Sequence, residues 1–242
     1  MSQQMAMPDL LALDGSDTQL KITLRSDHYD FAKTQNALPL AQSEYELACK
    51  NYPIVFIAAD AQGNTLQSVV LTSFQAQDNA FVQSSGAWEP FCYIPAWVKR
   101  HPFHLGFDEK TQQPLVYVDK QYPGLSHSDG MAFFEAGAPS AYLTQLVHAL
   151  RTLQVELDQT QQWVMRLKNQ GLLKPQSIQL TDGDHSESLA GIWVVDMDKV
   201  AALEDAEIAQ MYHNGTLALI EQHRLSLANL DILAQRLSAR GQ

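Results

Sequence analysis

Residues 51–71 read NYPIVFIAADAQGNTLQSVVL, and this stretch decides the fold of the front half of the chain. Two apolar runs, at 54–57 and 66–71, flank a short polar segment at 60–64 that contains Asp, Gly and Asn. β-branched and aromatic residues favour strands, whereas Asp, Gly and Asn favour tight turns. The stretch therefore predicts a β-hairpin.

Other short segments of the front half also have the patterns of strands. Residues 18–25 alternate apolar and polar side chains, which is the period of a half-buried strand. Residues 80–82 and 91–94 flank a Ser-Ser-Gly turn and predict a second hairpin, and residues 115–118 predict one more strand. Short strands joined by brief turns favour an antiparallel meander over a parallel βαβ sheet.

The rear half of the chain has the pattern of helices. A Pro-Ser pair at 139–140 predicts a helix start, and the apolar residues that follow recur at helical spacing. These residues are Leu143, Leu146, Val147, Leu150, Leu153, Leu157, Val164 and Leu167. Gly171 predicts the end of this helix. A strand at 189–195, shorter helices and a final helix within 215–240 are predicted after it.

The sequence as a whole predicts an α+β fold. Residues 1–17 have no pattern of either kind and predict a flexible tail. Residues 18–242 predict a single domain that is β-rich at 18–130 and mainly helical at 131–242. Because no stretch between the two halves resembles a linker, we expect the antiparallel front half to pack with the helical rear half as one compact unit.

The charge of the chain restricts the partners that it can have. Sixteen Lys and Arg residues against 27 Asp and Glu residues give a net charge of −11. Nucleic-acid binding and adsorption to anionic lipid both depend on clustered cations, so we expect neither partner. The composition, 45% hydrophobic and 18% charged, is that of a folded protein.

The sequence also predicts where the protein is located. Residues 1–17 contain no Lys or Arg and no long apolar run, so no signal peptide is expected. No segment has the roughly 20 apolar residues that a membrane span requires. The two cysteines, Cys49 and Cys92, favour a reduced compartment. We expect a cytoplasmic protein, with signal-independent secretion to the cell surface as the alternative.

Two histidines form a candidate metal site. His101 and His104 could bind zinc, iron or copper, and Asp108 or Glu109 could complete a two-histidine, one-carboxylate triad. Pro102 keeps the pair out of the middle of a helix, so the spacing does not place both rings on one helical face. Two half-buried histidines without a metal are the structural alternative.

Motifs that carry other chemistry are absent from the sequence. There is no Gly-x-Ser-x-Gly, and neither cysteine has a recognisable catalytic signature around it. The phosphate-binding patterns Gly-x-x-x-x-Gly-Lys and Gly-x-Gly-x-x-Gly do not occur. We expect no cofactor, and the sequence favours a noncatalytic protein without excluding an enzyme.

Residues 88–103 concentrate large rings and cations, and we call them the aromatic–basic block. The candidate binding residues are Trp88, Trp97, Lys99, Arg100 and Phe103. Aromatic residues and Arg are enriched in interface hot spots, and cations could bind an acidic peptide. Buried aromatic residues also dominate protein cores, so the rings could be structural and the cations solvated. The sequence leaves both interpretations open.

Several motifs along the chain occur together in one known family. The front half contains NYPIVF (51–56), NAFV (79–82), GAW (86–88) and YIPAWVKRHPF (93–103). Shorter motifs follow in the rear half, namely GLL (171–173), LAGIWVVD (189–196), HNG (213–215) and LSLANL (225–230). In this combination the chain resembles the bacterial SapC family over roughly residues 18–238. His101 departs from the family pattern, in which Tyr or a similar residue is expected.

The resemblance implies associations with other cell components and does not imply a chemical reaction. The family is named for an association with bacterial surface layers, and it is distinct from the peptide-transport permease of the same name. Its genes tend to lie near genes for flavin-dependent halogenase-like and cupin-type oxygenase-like proteins, which implies association with such proteins.

The leading hypothesis is a noncatalytic binding or assembly protein of the SapC family that recognises a protein or peptide partner. It rests on the resemblance and on the aromatic–basic block. Two alternatives remain. One is a metal-dependent enzyme that uses His101 and His104. The other is a surface-layer component, for which the long apolar stripe would allow a homo-oligomer.

Overall fold

The computed structural model describes residues 9–108, 113–182 and 185–240 of the 242-residue chain. The fold is α+β, as the sequence predicted. Most strands precede residue 140 and most helical residues follow it.

The strands of the described chain are, in order, β1 (Leu10–Ala12), β2 (Lys21–Ile22), β3 (Ala37–Pro39), β4 (Ile54–Ala58), β5 (Leu66–Leu71), β6 (Phe103–Phe107), β7 (Pro114–Asp119), β8 (Leu125–Ser126), β9 (Met131–Ala132), β10 (Phe134–Glu135), β11 (Ala138–Pro139), β12 (Leu173–Asp182) and β13 (His185–Val195). Its α-helices are α1 (Tyr45–Ala48), α2 (Ala96–Lys99), α3 (Ala141–Asn169), α4 (Met197–Ala201), α5 (Asp205–His213), α6 (Thr216–Ser226) and α7 (Asn229–Arg240). Two 3-10 helices cover Asp30–Ala32 and Gln42–Glu44.

The chain divides into two compact units, each made of two separate stretches of sequence. The described residues within 28–98 and 156–242 form one, which we call the large unit, and those within 1–27 and 99–155 form the other, the small unit. Each has its own cluster of buried apolar side chains. The prediction of one domain over residues 18–242 stays a prediction.

An antiparallel five-stranded sheet, in the order β12-β13-β4-β5-β3, forms the framework of the large unit. The predicted hairpin is confirmed as β4 and β5, with Val55 opposite Val69. Its turn is closed by Asp60, whose Oδ1 accepts a hydrogen bond of 3.0 Å from the Asn64 amide. The strand predicted at 189–195 is the end of the longer β13, which pairs with β12 as well as with β4.

The second predicted hairpin, at 80–82 and 91–94, is wrong. These residues form turns, and a single bridge between Val82 and Trp88 is their only strand-like pairing within the part of the chain that the structure describes. Pro90 cannot donate a ladder hydrogen bond, and Phe91 has a φ of +63°, which is not a strand conformation.

Helix α6 packs on strands β4 and β13 of the large unit, but the predicted final helix is divided. The sequence predicted one helix within 215–240, whereas α6 ends at Ser226 and α7 begins at Asn229. Both residues at this break bond to the front half of the chain. Ser226 Oγ accepts the Ile54 amide at 2.9 Å, and Asn229 Nδ2 donates to the Cys49 carbonyl at 2.7 Å.

The small unit contains three small antiparallel sheets, ordered β1-β7-β6, β8-β2-β9 and β10-β11. Strand β1 lies within the predicted tail and pairs Leu10 with Asp119, so residues 10–12 are not part of a tail. Three residues are too few for an alternating pattern to show in the sequence. The strand predicted at 18–25 shortens to β2, beside which Gly130 has a φ of +109°. A Cβ atom there would lie 2.5 Å from the Ile22 carbonyl, so only glycine fits.

Candidate functional site

The aromatic–basic block is shared between the two units. Trp88 and Trp97 belong to the large unit, whereas Lys99, Arg100 and Phe103 belong to the small unit. The five predicted binding residues therefore fall into two groups, each with its own surroundings.

Trp88 is a core residue of the large unit, with 6% of its surface exposed. Its Nε1 donates a hydrogen bond of 3.0 Å to the Tyr52 hydroxyl, which in turn donates to the Tyr93 carbonyl. The ring also meets Tyr29 edge to face, with centroids 5.7 Å apart. Trp88 therefore fits the structural interpretation, in which the ring belongs to the core and does not bind a partner.

Trp97 and Lys99 lie on α2 or at its end. The Trp97 ring is half-buried, and its centroid is 6.2 Å from that of Phe31. Lys99 is the last residue of α2 and is exposed. Of the two predicted tryptophans, only Trp97 therefore has a ring that a partner could reach.

Phe103 and Arg100 form a local arrangement in the small unit. Phe103 is 3% exposed and packs against Phe133, with ring centroids 6.1 Å apart, so its ring belongs to the core. Arg100 is half-buried, and its Nη1 donates a hydrogen bond of 3.0 Å to the Phe103 carbonyl. Burial lowers the pKa of the Arg100 guanidinium.

The two histidines of the predicted metal site have separate neighbours. The His101 ring meets Tyr122 edge to face at 5.6 Å, and His104 Nδ1 lies 3.2 Å from Arg100 Nη1. Burial, and then the nearby guanidinium, lower the pKa of His104. A cation at 3.2 Å opposes a metal ion on that nitrogen, because like charges repel.

Potential metal ligands do not gather elsewhere in the described ranges. Residues 9–108, 113–182 and 185–240 contain no group of three or more His, Cys, Asp or Glu side chains that could hold a metal ion. Glu109, one of the two candidate third ligands, lies outside these ranges. The metal-site alternative stays a prediction.

Phe91 is a ring of the aromatic–basic block that the sequence did not place among the candidate binding residues. It lies in a tight turn that is closed by a 3.3 Å hydrogen bond from the Cys92 amide to the Glu89 carbonyl. Its side chain is fully exposed, and its φ is +63°. Left-handed backbone is uncommon for a large aromatic residue and costs about 1 kcal/mol. Pro90, directly before it, is the one sequence signal of this turn.

An open groove of about 840 Å³ lies beside this turn, entirely within the large unit. One wall is α7 and the other is the segment 80–89. The turn contacts α7 through Glu89, whose Oε1 lies 3.2 Å from Arg236 Nη1. Phe91 does not line the groove itself, but it lies two positions after Glu89, which does.

The arginines of α7 give the groove a polar wall. The Arg236 guanidinium lies over the Phe81 ring, 4.6 Å from its centroid, in a cation–π contact. Arg240 Nη1 donates to the Asn79 carbonyl at 3.1 Å. The exposed side chain of Ile232 lines the groove on the same helix. The groove lining thus combines an exposed apolar side chain with two arginines and the acidic Glu89.

The segment that follows Phe91 is held by a buried carboxylate. Glu44 Oε1 accepts hydrogen bonds from the Tyr93 hydroxyl at 2.9 Å and from the Ala96 amide at 2.7 Å. Its Oε2 accepts the Ala41 amide at 3.0 Å. Burial, and then the Glu44 carboxylate, raise the pKa of Tyr93, so this phenol stays protonated as a donor. These hydrogen bonds therefore hold the segment that directly follows the exposed turn.

Comparison with known proteins identifies the family. The SapC family model matches residues 17–233 of the chain. No curated protein and no solved structure gives a significant match. Among the described residues, no helix combines the length and the apolarity that crossing a membrane requires. Since the matched residues make up nearly the whole sequence, the chain belongs to the SapC family.

Proposed function

We propose that this SapC-family protein is a noncatalytic binding protein that recognises a protein or peptide partner at the groove of the large unit. The observation that carries the proposal is the fully exposed Phe91 ring, presented at φ +63° only two positions after Glu89 of the groove wall.

The position of Phe91 is unfavourable for the isolated chain in two ways. Its backbone conformation is strained, and its ring leaves a large apolar surface in water. Strained residues held by their surroundings occur preferentially at functional sites. A partner that covers the ring would remove the solvation penalty, worth about 1.5–3 kcal/mol for a fully buried Phe side chain.

The neighbours of Phe91 suit an extended ligand better than a small molecule. Ile232 is 54% exposed, and the groove runs open along α7 with Arg236 and Arg240 in its wall. Enclosed, mainly apolar cavities are typical of small-molecule sites, whereas open grooves with aromatic and arginine contacts are typical of peptide sites.

The proposal includes the cellular location of the protein and its candidate partners. We place the protein in the cytoplasm, with the cell surface as the alternative, and we keep halogenase-like and cupin-type oxygenase-like proteins as candidate partners. The absence of a recognised catalytic motif in the sequence supports a role in binding over a role in catalysis. Assembly into a surface layer would require self-association, which the same experiment would detect.

Site-specific crosslinking tests the proposal in the native host. A photoreactive phenylalanine analogue would replace Phe91 in one variant and Phe107 in a control variant. Phe107 is also exposed, but it lies on β6 of the small unit. We expect position 91 to yield a discrete crosslinked protein that position 107 does not. Identical products from both positions, or no product from position 91, would contradict the proposal.

A further inference from the structure

The face of α7 that lines the groove has an apolar end and a cationic end. Ile232, Arg236 and Arg240 are spaced four residues apart and line the groove together. Residues at this spacing lie on one face of a helix. With a rise of 1.5 Å per residue, the row is about 12 Å long. The groove therefore has an apolar position at one end and a cation at the other.

The two arginines of this row differ in how firmly they are held. Arg236 is held between Glu89 and the Phe81 ring, and 27% of its side chain is exposed. Arg240 is 45% exposed, and its contact with Asp78 Oδ1 is long, at 3.5 Å. A guanidinium has five N–H donors and can bind a carboxylate through two of them. Arg240 is thus the cation that can bind a ligand.

Glu89, an acidic residue that lines the groove, already has partners within the protein. Glu89 Oε1 lies 3.2 Å from Arg236, and its Oε2 accepts a hydrogen bond of 3.4 Å from Gln83 Nε2. A ligand at the far end of the row meets the exposed part of the Arg240 guanidinium, whose Nη1 already contacts Asp78 Oδ1 at 3.5 Å and the Asn79 carbonyl at 3.1 Å. Complementarity at this position calls for a carboxylate.

We infer that the groove takes an extended acidic peptide segment, in which a carboxylate side chain binds Arg240 and an apolar side chain packs on Ile232 and Phe91. This inference rests on the proposed function and names the chemistry of its partner. An extended chain advances about 3.3 Å per residue, so the two side chains lie about four residues apart.

Other anionic ligands fit the groove less well. A nucleic acid or an anionic membrane would carry many charges against a chain of net charge −11 and would be repelled. A free phosphate would make no apolar contact with the exposed side chains of Ile232 and Phe91. A peptide meets both the apolar end and the cationic end of the row.

Selection of peptides tests the inference on the full chain. A library of random 12-residue peptides on phage would be selected on the natural protein after depletion on Phe91→Ser. The selected peptides would then be titrated by fluorescence polarisation. The proteins would be the natural chain, Arg240→Gln, Arg240→Lys, Ile232→Ser and the control Arg224→Gln. Arg224 is an exposed arginine of α6 that is paired with Glu221 away from the groove.

We expect peptides with Asp or Glu three to five residues from a large apolar residue. Arg240→Gln should weaken their binding about tenfold or more, since a hydrogen bond to a charged group contributes about 1.5–3 kcal/mol. Arg240→Lys should weaken it less, and Arg224→Gln should not change it. Replacing the peptide carboxylate by its amide should remove the effect of Arg240→Gln.

The two proposals fail in different ways. Peptides that need Phe91 but have no acidic residue, and that bind Arg240→Gln and Arg240→Lys as tightly as the natural chain, would overturn this inference alone. A selection that yields no peptide dependent on Phe91 would overturn the proposed function, and the inference with it. Circular dichroism of each variant would show that the fold is retained.

Discussion

Glu44 and Tyr93, which lie 49 positions apart in the chain, are joined by a 2.9 Å hydrogen bond from the phenol to the buried carboxylate. The same carboxylate also accepts the amides of Ala41 and Ala96. This single side chain therefore ties the start of α1 to the part of the aromatic–basic block that follows Phe91.

The first prediction concerns this carboxylate. Glu44→Ala would leave three buried or half-buried donors without their acceptor, so we expect it to lower the free energy of unfolding by about 2–4 kcal/mol. Urea denaturation followed by circular dichroism would measure the change. Glu46→Ala, at an exposed position two residues later, is the matched control and should change stability by less than about 0.5 kcal/mol. Equal effects of the two substitutions would contradict the prediction.

A second prediction separates the two tryptophans of the block. Trp88→Ala removes a buried ring and its hydrogen bond to Tyr52, so it should lower stability by about 3–5 kcal/mol. Trp97→Ala removes a half-buried ring and should cost clearly less. The midpoints of thermal denaturation would show the order. A larger loss for Trp97 than for Trp88 would mean that the cores are wrongly assigned.

The third prediction is a dependence of stability on pH that comes from one histidine. His223 is buried against Phe56, and its Nε2 accepts the Val195 amide at 3.1 Å. Burial lowers the pKa of His223 to about 4, whereas a histidine in the unfolded chain titrates near 6.5. Below pH 6.5 the unfolded chain binds a proton that the folded chain does not. Stability should therefore be full above pH 6.5 and fall as the pH drops towards 4.

Urea denaturation at pH 7, 6, 5 and 4.5 would measure this dependence. The contribution of His223 should amount to about 1 kcal/mol for each pH unit in that range. His223→Gln should have a shallower dependence on pH than the natural chain, even though it is less stable at pH 7. His213→Gln, at an exposed position, should keep the slope of the natural chain. Parallel curves for the natural chain and His223→Gln would exclude His223 as the cause.

A fourth prediction follows from the backbone at Phe91. Glycine accepts a φ of +63° without strain, so Phe91→Gly should leave stability unchanged or raise it by up to about 1 kcal/mol. The same substitution should abolish binding of the selected peptides, because it removes the aromatic contact. Phe107→Gly is the matched control: Phe107 is the last residue of β6, and glycine is disfavoured in strands, so this substitution should lower stability. A marked loss of stability in Phe91→Gly would show that the ring is structural.

The strongest local patterns of the sequence predicted their elements correctly, although the hairpin predicted at 80–82 and 91–94 was wrong. The alternation of apolar runs and turn residues at 51–71 specifies the β4–β5 hairpin, and the 3.6-residue apolar stripe specifies α3. Both signals arise from neighbours a few positions apart, where the period of the side chains shows directly which element forms. The SapC motifs carried the family assignment for the same reason, since a motif is read along the chain.

The surfaces were not determined by such patterns. The sequence grouped Trp88, Trp97, Lys99, Arg100 and Phe103 as one block, but tertiary packing buries Trp88 and Phe103 in different units and leaves Phe91 in water. Burial depends on which distant segments cover a residue, and composition alone does not specify them.

The sequence by itself therefore determined the α+β class, the main hairpin, the long helix and the family. Only the tertiary structure decided the division into two cores, the break between α6 and α7, and the groove along α7. The physical reason is that the residues in contact are far apart in the sequence. The groove depends on pairs such as Arg240 and Asn79, which are 161 positions apart and are brought together only by the packing of the whole large unit.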